Sequence, residues 1–374
     1  MKFKVSSTSL SSHLQVVSRV IASKNTIPVL ECFLFELEGN LLKITAADSE
    51  TRMMTSMEVY EVEGEGIFAI PSKNLLDSLK ELPDQSIDFD INSETLKIFI
   101  TYENGKYELY GQNGDEYPLA KPLKDDAAKI EISAEDLLSG ISRTLFATNE
   151  DELRPIMNGI LFDISDTDIT FVASDGHKLV RFKNSSVKGN DRTSLILPKK
   201  PANLLKTVLP KEIGLVTISF DENNACITME NLTIISRLIE GRYPNYNGVI
   251  PKDNPFRVIV DRVILVNALK RVVVFSNPGS SLIKLQLLQN SIFITAQNVD
   301  FATSAEETVS CVYDGDEISI GFKGTYLIEI LSNIPSSEVI LQLADPAHAG
   351  LMLPSENEED EDLLMLLMPM MLND

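Results

Sequence analysis

The chain has 374 residues, a formal net charge of −22 and a hydrophobic share of 44%. That length is enough for two or three domains with cores of their own, and the ordinary balance of apolar and charged residues excludes wholesale disorder. No apolar run approaches a membrane span and no secretory apolar segment follows Met1-Lys2-Phe3-Lys4; the cysteines Cys32, Cys226 and Cys311 are too scattered for a disulfide framework or a local zinc motif, so a cytoplasmic protein with buried free thiols is expected.

In chain order, Ser9 is a good capping type ahead of Leu10, Leu14, Val17 and Ile21, which fall at helical spacing. Residues 41–48 then form an apolar run closing on Asp48. A second helix is expected from near Pro71, with Leu75, Leu76, Leu79 and Leu82 as its stripe. Residues 106–110 alternate like an edge strand, and 121–126 read as a polar, proline-containing linker.

The same order then recurs. Ser133 precedes a helix striped by Leu137, Ile141 and Leu145, with Asp136 placed for a capping box. An alternating run, 168–173, leads into Ser174-Asp175-Gly176-His177-Lys178-Leu179, a strand end with glycine at the tight position of the turn. Another helix is expected from Pro198, striped by Leu204, Leu205 and Val208. The third round has Asp261 ahead of Leu265, Leu269 and Val272, a strand closing on Asp300, and a helix from near Gly321 with Leu327, Ile330, Leu331 and Ile334. From Asp48 to Asp175 and from Asp175 to Asp300 the spacing is 127 and 125 residues, so the chain is read as three copies of one domain, 1–122, 129–250 and 251–374.

Basic residues gather at the helices of each copy: Arg19, Lys24, Lys73 and Lys80; Arg143, Lys199, Lys200 and Lys206; Arg262, Lys270, Arg271 and Lys323. From charge pattern alone these are solvated helix faces, and the acidic total weighs against nucleic acid as a partner. Six of the eight residues from Ser355 to Asp362 are acidic, which reads as a solvated hairpin loop. The apolar run 363–372, with Pro369 and four methionines, is too short to cross a bilayer and is expected to be a buried edge strand, an exposed partner-binding patch, or each in part.

Taken together, ASDGHKL at 173–179, EGRYPNY at 240–246, the triplication and the ending MPMML resemble the bacterial DNA polymerase III beta subunit, the sliding-clamp family, over the entire chain. The resemblance implies an α+β fold of three repeated clamp domains, each with two helices packed on antiparallel sheets, dimerising head to tail into a six-domain ring. It implies a non-catalytic processivity factor that encircles duplex DNA of any sequence and tethers polymerase, with no cofactor, no metal and no membrane association. Held by topology, such a ring needs only weak phosphate contacts, so basic helices lining the hole are compatible with an acidic exterior.

By the same resemblance Lys24, Lys199 and Lys200 contact DNA, while Asp151 stands where a relative carries an amide and takes no DNA role. Tyr107 and Leu109 in the first copy meet Val274 and Phe275 of a second copy of the chain. A pocket for short linear motifs falls on Met157, on Ser174, Gly176, His177, Lys178 and Leu179, on Pro244, Val249 and Tyr326, and on Met368, Pro369 and Met370. Its partners would be the DNA polymerase III alpha subunit, the clamp loader, other polymerases and repair proteins. Gly248 and Lys323 depart from residues found in relatives, arginine and asparagine, which leaves the polar details of peptide recognition open, as does the role of Asn373 and Asp374. Two other readings stand beside this one: a multidomain peptide-binding scaffold that does not encircle DNA, and a hydrolase using Asp175 and His177. The chain's three histidines, His13, His177 and His348, and the absence of a phosphate loop or nucleophile elbow weigh against the enzyme.

Overall fold

A computed structural model describes residues 1–374 except Ser93, Glu152, Asn190, Asn373 and Asp374. The terminal pair singled out above therefore lies outside the described residues. The chain divides into two compact units, the first holding 1–135 with 203–238 and the second 136–202 with 239–374. Each unit contains one complete round of the sequence pattern and part of the middle one. Among the described residues six α-helices stand at the six apolar stripes, α1 Ser7–Val17, α2 Ser72–Lys80, α3 Ala134–Thr144, α4 Lys199–Val208, α5 Arg262–Val273 and α6 Gly324–Ser332, but Ile21, Leu82, Leu145 and Ile334, which end four of the stripes, lie past the helix ends.

Capping decides where the helices begin. Asp261 accepts the N–H of Ile264 at 2.8 Å and starts α5 as expected. The first helix begins earlier than expected, because Ser6 rather than Ser9 is the cap: its Oγ accepts the N–H of Ser9 at 3.2 Å. The buried Ser7 fixes that start by donating to the Pro83 carbonyl at 2.8 Å and accepting from Gln85 N–H at 3.1 Å. At the other end of the chain, Gly321 does not open a helix. It lies inside the strand Ile318–Lys323, where Ile320 and Phe322 are buried at alternate positions and keep the backbone extended up to α6.

In the first unit, a five-stranded antiparallel sheet ends on Gly105–Tyr110, the edge strand expected at 106–110. Its core includes Phe3 stacked on Phe89 at 4.8 Å. A nine-stranded sheet crosses the repeat boundary through the antiparallel pairing of Thr51–Glu58 with Leu232–Arg237. The second unit does the same: in its eight-stranded sheet Lys178–Asn184 pairs with Glu361–Leu367. A four-stranded sheet completes it, with Thr303–Ser310 at one edge and Ile318–Lys323 at the other.

The segment Glu361–Leu367 is an interior strand and not an edge, since Gly350–Pro354 pairs along its other side. Leu363 to Leu367 are all buried, so both faces are covered, and a strand covered on both faces shows a continuous apolar run in place of alternation. The acidic stretch does form the loop before this strand, but its last two residues are not simply solvated. Arg143 of α3 donates to Glu361 at 2.9 Å, the two side chains being only 17% and 12% exposed, and Arg181 pairs with Asp362. Burial raises the Glu361 carboxyl pKa, against the opposing effect of Arg143. Several basic residues expected on solvated faces are likewise engaged: Arg271 with Glu307, Arg262 with the Ser336 carbonyl, and Lys199 with Glu150. Of the cysteines only Cys32 is buried, its thiol pKa pushed up to about 11; Cys226 and Cys311 are half-buried, and all three are free. Among the described residues no helix is long and apolar enough to cross a membrane.

Candidate functional site

The Asp-Gly-His turn of the second unit is built around the Asp175 carboxylate. Its Oδ1 accepts the backbone N–H groups of His177 and Lys178, both at 2.8 Å, and its Oδ2 accepts from Lys178 Nζ at 3.0 Å. Gly176 takes φ +89°, a left-handed conformation that glycine adopts without strain, and its N–H donates to Ser174 Oγ at 3.1 Å. Lys178 is 5% exposed and also pairs with Glu329 at 3.0 Å, while its ammonium lies 4.2 Å from the centre of the Tyr326 ring. Burial works against that charge, but the hydrogen bonds and charges of Glu329 and Asp175 outweigh it and raise the Lys178 pKa.

This arrangement does not fit a hydrolase. The Asp175 carboxylate spends its oxygens on the turn and on Lys178, meeting the backbone of His177, while the His177 ring is tilted toward Tyr326 with centroids 6.2 Å apart. General-base chemistry needs the carboxylate on the imidazole, and here it is on the main chain.

What the turn does is receive the end of the chain. Met368 N–H donates to the His177 carbonyl at 2.8 Å, directly after Leu367 and Leu366 pair with Lys178 and Leu179. Past Pro369, Met370 N–H donates to the Gly321 carbonyl at 2.8 Å, so the tail passes from the eight-stranded sheet to the four-stranded one. Gly321 permits the close approach: a Cβ there would stand 2.6 Å from the Met370 carbonyl oxygen and 2.8 Å from a Leu372 methyl.

Leu179 belongs to a buried apolar cluster with Val172, Tyr243, Leu351 and Leu366, and Ile156, Tyr246 and Ile250 pack against it. Burial raises the Tyr243 phenol, whose hydroxyl lies near the Ser174 backbone without a well-formed hydrogen bond. Tyr246 is fixed by donating to Asp163 at 2.9 Å. Beside the turn His177 and Met368 are exposed and Pro369, Met370 and Tyr326 half-buried, a partly apolar surface; Pro244 and Val249, also expected there, are exposed. Met157 follows Ile156 and is half-buried. Ser174 and Lys178 are buried and shape this surface through the turn. Lys323, already noted as a departure from relatives, stands 4.2 Å from the Tyr326 ring centre. Two neighbours escaped the residue pattern: Arg154 lies where its guanidinium would crowd a Cβ on Gly176, and Glu329 holds Lys178. No motif marks them, since only the folded chain brings them to the turn.

The other expected residues lie elsewhere. Lys24 is exposed after the first helix, and Lys200 is exposed in the first turn of α4. Lys199 beside it is bonded to Glu150, which lowers the Glu150 carboxyl pKa. In the first unit Tyr107 and Leu109 are half-buried on the edge strand Gly105–Tyr110. In the second, Val274 and Phe275 are 75% and 42% exposed just past α5. Val299 and Phe301, which sequence reading did not single out, are exposed nearby, where Asn277 donates to Asp300 at 3.1 Å.

Three family models cover nearly the whole chain: the N-terminal, central and C-terminal domains of the DNA polymerase III beta subunit, on residues 1–121, 131–245 and 247–371. The chain belongs to the DNA polymerase III beta subunit family. It is 28% identical to the beta sliding clamp of Pseudomonas putida over 366 residues, covering 98% of this chain and 99% of the relative. With the beta sliding clamp of Haemophilus influenzae it shares 29% over 372 residues and all of both chains. Its fold matches a crystal structure of the DNA polymerase sliding clamp from Pseudomonas aeruginosa with ligand, at 28% identity and TM-score 0.94 over both whole chains. A sliding clamp from Bartonella birtlesii bound to griselimycin matches at 27% identity and TM-score 0.93, again over both whole chains. The α+β clamp-domain fold that the resemblance implied is thus the fold of the family, and the family's role is that of a processivity factor and not of an enzyme.

Proposed function

We propose that this chain works as a head-to-tail homodimeric ring that encircles duplex DNA in the cytoplasm and tethers polymerases, the clamp loader and repair proteins by short peptide motifs. The domains would be those read from the repeat, 1–122, 129–250 and 251–374. The observation that carries the reading is the match of the whole chain, domain by domain, to a DNA polymerase sliding clamp. Peptides would lie on the surface framed by His177, Leu179, Pro244, Val249, Tyr326 and Met368 to Met370. An apolar floor with methionines at its rim suits varied anchors of leucine or aromatic type. The expected affinity is about micromolar. Imaging the purified protein tests the assembly directly: annular particles with a hole wide enough for a duplex are expected, and particles lacking a hole would favour the scaffold reading.

For assembly, the unpaired edge of Gly105–Tyr110 with Tyr107 and Leu109 would meet the apolar patch of Val274 and Phe275, just past α5, in a second copy, covering the exposed edge. Phe275→Ala is therefore expected to raise the dimer dissociation constant at least about tenfold, equivalent to about 1.4 kcal/mol. Sedimentation velocity reads this, and an unchanged constant would remove Phe275 from the interface.

For DNA, Lys24, Lys199 and Lys200 would supply sequence-independent phosphate contacts. The bond from Lys199 to Glu150 means that phosphate must displace a carboxylate, consistent with a contact weak enough for sliding. Changing Lys24 and Lys199 to glutamine is expected to weaken retention on DNA and to reduce the slope of log affinity against log salt by about two, leaving the dimer intact. Retention on linear DNA with blocked ends should exceed that on open-ended DNA. Equal retention would rule out a topological hold.

A further inference from the structure

The construction of the turn and tail occurs a second time, inside the first unit, where no function is assigned to it. Asp48 Oδ1 accepts the N–H groups of Glu50 at 2.8 Å and Thr51 at 2.6 Å, as Asp175 Oδ1 accepts those of His177 and Lys178. The Glu50 carbonyl accepts from Arg237 N–H at 2.9 Å, as the His177 carbonyl accepts from Met368. Thr51–Glu58 pairs with Leu232–Arg237 as Lys178–Asn184 pairs with Glu361–Leu367. Tyr117-Pro118 stand in the first copy as Tyr243-Pro244 stand in the second. A groove of about 440 Å³ opens at this point, lined by the turn, by the segment from Pro118 to Lys121 and by Arg237.

The frame is shared but the chemistry is changed. Where the second unit presents Leu179 and Met368, the first presents Arg52 and Arg237, and Lys121 stands at the exposed end of the lining. Arg52 is held in place, its guanidinium 5.7 Å from the Tyr117 ring centre and donating to the Pro118 carbonyl. Leu119, 87% exposed, adds one apolar contact. The lining carries three cations, Arg52, Lys121 and Arg237, against two carboxylates, Asp48 and Glu50, an excess of one positive charge. On a chain of net charge −22 this is a local reversal of sign.

We propose that this groove binds a short, extended acidic peptide segment of a partner protein, with its carboxylates toward Lys121 and Arg237 and an apolar residue against Leu119. Successive side chains of an extended peptide point to opposite sides, so alternating acidic and apolar residues match such a groove. The assignment rests on the reading of the second-unit surface as a peptide site, because the shared frame is what favours a peptide over a nucleic-acid phosphate.

The test uses the full chain and two fluorescein-labelled peptides, one of alternating glutamate and leucine and one uncharged with leucine and phenylalanine anchors, followed by fluorescence polarisation. The acidic probe is expected to bind saturably, at least tenfold more weakly to Arg237→Gln with Lys121→Gln, and nearly normally to Arg237→Lys. Gly321→Ala, which disturbs the second-unit tail, should leave it unchanged. The uncharged probe should show the reverse dependence. If the acidic probe fails to bind while the uncharged one binds, this proposal is overturned and the second-unit reading stands; if neither binds, both fall. Acidic-probe binding that survives the double variant but is lost in Gly321→Ala places that peptide on the second-unit surface and overturns the proposal. So does a single-stranded oligonucleotide that binds with the double variant's dependence when the acidic peptide does not. Thermal unfolding of each variant shows that it is folded. Should the double variant unfold, the exposed Lys121→Gln alone takes its place: weaker binding of the acidic probe supports the proposal and unchanged binding overturns it.

Discussion

Deleting residues 368–374 is expected to reduce the binding of polymerase-derived peptides to background, an affinity loss of at least about a hundredfold or 2.7 kcal/mol. On the proposed reading the tail would supply one wall of the surface: Met368 is hydrogen-bonded to His177 and Met370 to Gly321, and the deletion removes both. Gly321→Ala is the sharper variant, because it removes nothing. A methyl group 2.6 Å from the Met370 carbonyl oxygen must push the tail off the strand, since the obstacle is backbone and the strand Ile318–Lys323 is held by Leu282–Leu288 along its other side. It is expected to reproduce most of the deletion while ring assembly and DNA retention are unchanged. Undiminished peptide affinity in both variants, measured by fluorescence polarisation, would mean that the partner surface is elsewhere.

Lys178→Met is expected to cost about 3 kcal/mol of unfolding free energy, the low end for breaking a buried ion pair. Methionine refills the volume but leaves the Asp175 carboxylate, 10% exposed, without its cation, whereas Glu329 at 40% exposure recovers much of its hydration. The effect has a pH signature. The Lys178 pKa is raised above its ordinary value of 10.5, so its contribution is fully present below pH 10.5 and is lost as pH rises through the folded-state value. The stability difference between the parent chain and Lys178→Met in urea unfolding should therefore be constant near neutral pH and narrow on the alkaline side. Equal stability at neutral pH would show that the Asp175 and Glu329 bonds do not hold the turn.

Much of this molecule was legible before folding was considered. The six helices follow from leucines and isoleucines at helical spacing, and Asp261 marks its helix start because a short polar side chain ahead of such a stripe has an N–H to accept. The triplication was visible because each copy keeps a short polar side chain at the end of the same strand, although in the third copy it is Asn298, whose Oδ1 accepts the N–H of Asp300, and not the expected Asp300, which lies two residues past the strand. Asp48 and Asp175 do the same physical work, closing the turn with two backbone N–H groups. The MPM tail and the SDGHKL turn could be named separately, residue by residue, since each is a local pattern.

What local pattern could not contain was pairing between distant strands. Leu363 to Leu367 read as an edge or a patch because nothing local says that strands will cover both their sides. Ser6, Ser7 and Ser9 are all acceptable caps by type, and the choice fell to Ser6 because Ser7 is drawn inward by Pro83 and Gln85, far off in sequence. Charge behaved the same way: Arg143, Lys199 and Arg271 look alike in the chain, but their partners Glu361, Glu150 and Glu307 are supplied by tertiary contacts. By itself the sequence determined the elements, their threefold repetition and the residue types at each turn, because those depend on interactions within a few residues. Only the tertiary structure decided that one turn receives a methionine tail and its counterpart an arginine, because strand pairing between residues more than a hundred apart selects which side chain arrives.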